Sequence, residues 1–197
     1  MAKVKLTKNE LKKQRDQLKR FQRYLPTLIL KKQQLQMVLR QIEAAIAKQK
    51  AKRDQYREDI GRWVGVFAED VDIRSLVALK SVETEVGNIA GIDIPVYKAC
   101  SFDEKRWDLF ELPLWVDSAV ESTKELIALD IEVEILQKQH ELVSDELRIT
   151  TQRVNLFEKV KIPETKENIR RIRIYLGDQQ TAAVVRGKIA KSNLVEV

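Results

Sequence analysis

The sequence predicts an all-α protein: a long, bent, antiparallel two-helix coiled coil with a small β-hairpin or globular tip in the middle of the chain. Three observations carry this. One heptad stripe runs from Leu11 to Phe67, a second runs from Leu126 to Phe157 and beyond, and between them the helical period gives way to short alternating patterns. Stepping alternately by three and four from Leu11 meets Gln14, Leu18, Phe21, Leu25, Leu28, Lys32, Leu35, Leu39, Ile42, Ile46, Gln49, Arg53, Tyr56, Ile60, Trp63 and Phe67. Thirteen of these seventeen positions are apolar. A period of 3.5 held this long needs a partner helix along a narrow seam. At 1.5 Å per residue the helix is roughly 85 Å long.

Residues 1–70 are the N-terminal coiled-coil helix, 71–117 the hairpin or tip, and 118–197 the C-terminal coiled-coil helix, all in one structural domain. The first helix opens with a capping box, in which Thr7 accepts from the amide of Glu10 and Glu10 returns the bond. Pro26 removes a donor and crowds the preceding turn, so a kink is expected between Gln22 and Pro26. In the middle, Val82, Thr84 and Val86 alternate with polar residues, as do Ile92, Ile94 and Val96. Gly87-Asn88 and Gly91 supply turns, and Pro95 argues for an edge position. Trp107, Phe110, Leu112, Leu114 and Trp115 would close the tip.

A second capping box, Ser118 with Glu121, opens the second helix. Its seam steps through Leu126, Leu129, Val133, Leu136, His140, Val143, Leu147, Thr150, Val154 and Phe157. The phase then slips by about one residue and resumes at Ile162, Ile169, Ile172 and Leu176, with Pro163 at the slip. Folding the helices together with Phe67 near Glu121 places Pro26 opposite Ile162 and Pro163, so both helices bend at one height.

Composition agrees with a helical rod. Charged residues make up 34% and aromatics 6% of 197 residues, with six Gly and four Pro. Cys100 is the single cysteine, which rules out an intramolecular disulfide and points to a reducing compartment. No apolar run reaches the ~18–20 residues of a membrane span, and the N-terminus lacks the apolar core of a signal peptide. The net charge of +6 is unevenly distributed. Residues 1–69 carry 18 Lys and Arg against 7 Asp and Glu, and residues 151–197 carry 10 against 5, whereas residues 70–150 are acidic.

No catalytic constellation is visible. There is no P-loop and no G-x-G-x-x-G. Gly61 with Gly65, and Gly87 with Gly91, read as packing or turns. His140 falls on the seam, where a polar residue more often fixes register than binds metal, and Cys100 has no CxxC partner. No catalytic, cofactor or metal site is assigned. Lys12, Lys13, Lys19, Arg20, Arg170 and Arg171 are the candidate contacts to a surrounding protein sleeve or to phosphates, set against the plainer reading of a solvated helix face. Trp63, Trp107, Phe110 and Trp115 are the candidate contacts to partners near the tip. The coiled-coil seam is represented by Leu18, Leu28, Leu39, Ile42, Leu136, Leu147, Val154 and Ile162.

The segment Gln152-Arg153-Val154-Asn155-Leu156-Phe157-Glu158-Lys159-Val160-Lys161-Ile162-Pro163 closely resembles the R-V-N-A-L-E-x-V-x-I-P signature of the D subunits of V-type and archaeal-type ATPases. Phe157 stands where the family usually has Leu. Leu6-Thr7-Lys8-Asn9-Glu10-Leu11 with Leu28, Leu30, Lys31, Lys32 and Leu35 looks like that family's first helix. Asn88-Ile89-Ala90-Gly91-Ile92 and Pro95 resemble its middle segment. Gly177, Gln179, Gln180, Thr181 and Ala182 depart from the family's acidic, Arg-containing C-terminal stretch.

The resemblance implies the central-stalk rotor axle of a V/A-type ATP synthase or ATPase, a non-catalytic component without a cofactor. It would turn inside a hexamer of catalytic A and B subunits, bind the F subunit on its side, and join the membrane ring through a funnel-shaped subunit of the C/d type. ATP synthesis or hydrolysis would thereby couple to proton or sodium transport, with the protein cytoplasmic and peripheral to the membrane. A prefoldin-like chaperone or a nucleic-acid-binding coiled coil is the alternative.

Overall fold

A computed structural model describes residues 4–62, 65, 76–104, 112–113 and 115–195. The elements are α1 (Lys8–Gly61), β1 (Val77–Ile89), β2 (Ile92–Glu104), α2 (Trp115–Asn155), a π-helical segment (Leu156–Lys161) and α3 (Ile162–Val195). They form two compact units. One combines the chain up to Lys32 with the chain from Ile149 onward, and the other is Gln33–Arg148.

Helix α1 is continuous through Pro26 for 54 residues. Every seam position from Leu11 to Ile60 is buried or half-buried, while the residues between them are mostly exposed. This is the pattern of a helix that shows one stripe to a partner. The N-terminal cap is half of the expected box. The Glu10 amide donates to Thr7 Oγ1 at 3.3 Å, but the Glu10 carboxylate accepts instead from Gln14 Nε2 at 2.8 Å. That bond satisfies Gln14, a polar side chain buried in the seam.

In the unit Gln33–Arg148 the helices run antiparallel. His140 Nε2 lies 3.3 Å from Glu43 Oε1, Gln49 Nε2 donates to Glu132 at 2.8 Å, and Arg53 reaches Asp130 at 3.5 Å. The expected register would have set Glu43 against Asp145; it meets His140 instead. Two of the four polar breaks in the α1 seam, Gln49 and Arg53, thus make the cross-helix bonds that fix the alignment.

The hairpin folds back along this helix pair as a third layer. Ile94, 3% exposed, shares a core with Leu35, Ile42 and Val143, and Ile89, Ala90 and Ile92 pack beside them. At the other end of the ribbon Val77 packs with Val116 and Val120, flanked by Phe102, Leu112 and Trp115. The strands pair antiparallel from Val77↔Glu104 to Ile89↔Ile92, with Lys80 and Lys98 as extra residues at two register shifts. The turn is Ala90-Gly91, where φ is 53° and 81°. Positive φ at both central positions is the two-residue geometry whose twist matches the strands. Gly87-Asn88, expected as a turn, lies inside β1. Gly87 is needed there for space, since a Cβ would stand 2.9 Å from Val96 Cγ2. Asn88 serves the turn from outside it, accepting from the Gly91 amide and donating to Asp93.

Helix α2 begins at Trp115, with the Val116 amide bonded to Pro113 O at 3.1 Å. Ser118 and Glu121 are therefore within the helix and do not cap it.

In the other unit, Phe21 and Phe157 place their ring centroids 5.2 Å apart, and Val154, Thr165, Ile169 and Ile172 are buried. Pro26 lines one groove with Leu25, Glu158 and Ile162. Pro163 lines another, with Leu6, Ile172 and Tyr175. The phase slip read in the sequence has a structural cause. Pro163 cannot donate to the carbonyl four residues back and its ring crowds that carbonyl. The preceding turn widens, and the Ile162 amide bonds to Phe157 O, five residues away. A π turn absorbs one extra residue, so the stripe resumes one position late.

Candidate interaction surfaces

Lys12, Lys13, Lys19 and Arg20 are all exposed on α1. They are helix-surface residues because the seam claims positions 11, 14, 18 and 21. Lys12, Lys13 and Arg20 border one shallow groove with Asn9, Asp16 and Gln17. Arg170 and Arg171 are exposed on α3 and both bind Glu167, with Nε–Oε distances of 2.9 and 3.1 Å. Hydrogen bonds from Arg170 and then Arg171 hold the Glu167 carboxyl below its ordinary range. This basic pair is thus partly neutralised from within, whereas Lys12, Lys13, Lys19 and Arg20 make no ion pair among the described residues.

Of the four aromatic candidates, Trp63, Trp107 and Phe110 lie outside the described residues. Trp115 is half-buried against the cluster of Val77, Val116 and Val120, so it supports the base of the ribbon more than it offers a free surface. The seam residues Leu18, Leu28, Leu39, Leu136, Leu147 and Ile162 are half-buried, and Ile42 and Val154 are buried.

The isolated reactive side chains have structural partners. His140 pairs with Glu43. Cys100 is half-buried beside Tyr97, whose phenol is pushed up to about 12, first by its hydrogen bond to Cys100 and then by burial. Tyr56 is raised by burial and by its bond to Glu125. Among the described residues no group of three or more His, Cys, Asp or Glu could hold a metal ion, and no helix is long and apolar enough to cross a membrane.

Sequence reasoning missed Gln139. It is buried and donates its side-chain amide to the carbonyl of Pro95. Its neighbours Leu136 and Val143 mark the buried face of α2, but only a third layer on that face would require a buried amide there. The consequence is that β2 faces the helices while β1 is left outside: Ala78 to Val86 are all exposed.

The profile of the family described as the D subunit of ATP synthase matches residues 10–192. The chain is 51% identical over 196 residues to the V-type ATP synthase D subunit of Borreliella burgdorferi, covering 100% of this chain and 97% of that protein. It is 32% identical over 196 residues to the protein of the same name from Chlamydia muridarum, covering 98% and 97%. Against the Chlamydia abortus protein the identity is 32% over 201 residues, covering 98% and 94%.

Proposed function

We infer the function from a premise that these matches establish: the chain belongs to the family of ATP synthase D subunits. It is a component of a V-type ATPase complex. Within that complex it is the central-stalk rotor, a non-catalytic shaft that carries torque between the A/B hexamer and the membrane ring. The observation that carries this reading is the cross-helix bonding of the seam. Glu43–His140, Gln49–Glu132 and Arg53–Asp130 tie α1 to α2. A helix pair held by apolar packing alone can slide; polar pairs at fixed heights resist it.

The exposed cations of α1 suit a sleeve contact. In rotation each side chain meets successive faces, and many exposed ion pairs of about 0–1 kcal/mol each make a smoother surface than one tight bridge. The F subunit and a funnel-shaped subunit of the C/d type bind the section from Tyr56 to Leu136, including the hairpin. The protein is cytoplasmic and peripheral to the membrane.

The test is single-molecule rotation. The chain is reconstituted with A and B subunits, the hexamer is fixed, and a bead is attached through the hairpin. ATP-driven rotation of the bead is expected. A complex that hydrolyses ATP while the bead stays fixed overturns the rotor reading.

A further inference from the structure

We propose that the free edge of β1 docks one extended strand from another protein, and that this strand alternates basic with apolar side chains. The proposal rests on the reading of the chain as a stalk component, whose hairpin section meets other proteins of the complex.

In a two-stranded antiparallel ribbon each strand spends the N–H and C=O groups of alternate residues on its partner, and the rest point outward. The two outer edges differ here. On β2, Ile94 is buried in the helix core and the Pro95 carbonyl is taken by Gln139. On β1, the nine consecutive residues Ala78–Val86 are exposed, and among the described residues no third strand pairs with its outer edge. Long open edges of this kind pair with other strands unless the sequence prevents it. Leu79, Val82 and Val86 are exposed along this strand, the last at 73%.

The available stretch has defined ends. Lys80 is the extra residue at one register shift. At the other end Gly87 lies under Val96, and Asn88 is committed to the turn. Ser81–Val86 between them is about the length of an ordinary strand. Side chains alternate along it: Val82, Thr84 and Val86 share one face, Glu83 and Glu85 the other. Neither glutamate makes an ion pair among the described residues. Across the ribbon they stand opposite Ala99 and Val96, which offer no charge. A strand laid on β1 puts its own alternate side chains beside these two rows. Lys or Arg therefore belongs beside Glu83 and Glu85, and β-branched or apolar residues beside Val82, Thr84 and Val86.

The same charges disfavour a second copy of the hairpin. Residues 77–104 carry five acidic against two basic side chains, so two such ribbons repel edge to edge.

The probe is a pair of capped heptapeptides, alternating Val-Lys and alternating Val-Glu, each added at millimolar concentration to the full chain. Amide hydrogen exchange is followed across residues 78–86. The Val-Lys peptide is expected to slow exchange in β1 by about tenfold or more and the Val-Glu peptide to leave it unchanged. The double variant Glu83→Lys, Glu85→Lys should reverse the preference. The proposal is overturned if neither peptide protects β1, if both protect it equally, or if protection falls only on β2 or the helices. It is also overturned if sedimentation shows the chain pairing with itself through β1. A chain that fails to assemble with A and B subunits refutes the stalk reading; the peptide result is read independently of that.

Discussion

Gln139 of α2 donates its side-chain amide to the carbonyl of Pro95 in β2. A proline in a strand removes a donor but keeps its acceptor, and here the acceptor anchors the ribbon to the helix. Gln139→Leu should leave that carbonyl buried without a donor, at a cost of about 1–3 kcal/mol. Amide exchange should rise in β2 around Pro95 and stay unchanged in α2 away from position 139.

Ile94 and Val86 make an internal comparison, since both are ribbon aliphatics with opposite environments. Ile94→Ala opens a hole beside Leu35, Ile42 and Val143 and should cost about 2–5 kcal/mol. Val86→Ala, at an exposed site, should stay within about 0.5 kcal/mol. Urea titration of the two variants checks the difference.

Cysteines at Glu43 and His140, in a Cys100→Ser background, should react readily with a short bismaleimide. Cysteines at Glu43 and Asp145 should not. Equal yields from the two pairs would contradict the alignment set by Glu43–His140, Gln49–Glu132 and Arg53–Asp130.

Glu167 has its folded pKa depressed below the ordinary value of 4.5 by Arg170 and Arg171. A depressed carboxyl pKa contributes stability that is present above the unfolded value and is lost as pH falls through the folded one. Glu167→Gln should therefore lower the thermal midpoint slightly at neutral pH, and the two midpoints should converge as the pH falls below the unfolded value and through the depressed folded one. Parallel midpoints down to the lowest pH would refute the sign.

Single substitutions such as Lys12→Ala, Lys19→Ala or Arg170→Ala should leave coupled ATPase activity of the reconstituted complex nearly intact. Changing Lys12, Lys13, Lys19 and Arg20 together to Glu should weaken assembly with the hexamer, most strongly at low salt where screening is least. Loss of coupling from one single substitution, with assembly preserved, would point to a specific catch residue.

The helices were legible because their seam repeats: one stripe of Leu, Ile and Phe carries the same message many times. Registration was not, because it was anchored through a middle segment with no helical period, whereas the alignment depends on single polar pairs such as Gln49 with Glu132. The hairpin was legible from alternation at Val82–Val86 and Ile92–Val96, and Gly91 was read as a turn residue, but Ala90 as its partner in the turn and the place of Gly87-Asn88 inside β1 were not. Gly87-Asn88 has the composition of a turn, and Ala90 is a residue type that seldom accepts positive φ. The sandwich of β2 on the helix pair left its trace only in Gln139 and in the depth of Ile94, neither of which stands out in a single sequence. The basic surface was visible as charge, while the restraint of Arg170 and Arg171 by Glu167 needed the helical spacing of three and four to be seen in place.

The π-helical segment gives the protein a phase adjuster. A regular seam is a rigid count: one residue gained or lost rotates every later side chain by about 100° away from its partner. The wide turn at Leu156–Lys161 spends one residue without advancing the stripe, so the rows on either side, Thr150 and Val154 before it and Thr165 and Ile169 after it, keep separate counts. Deleting one residue within those six positions should close the wide turn to an ordinary helical one and leave both rows facing their partners, whereas the same deletion elsewhere in the seam should turn one row away.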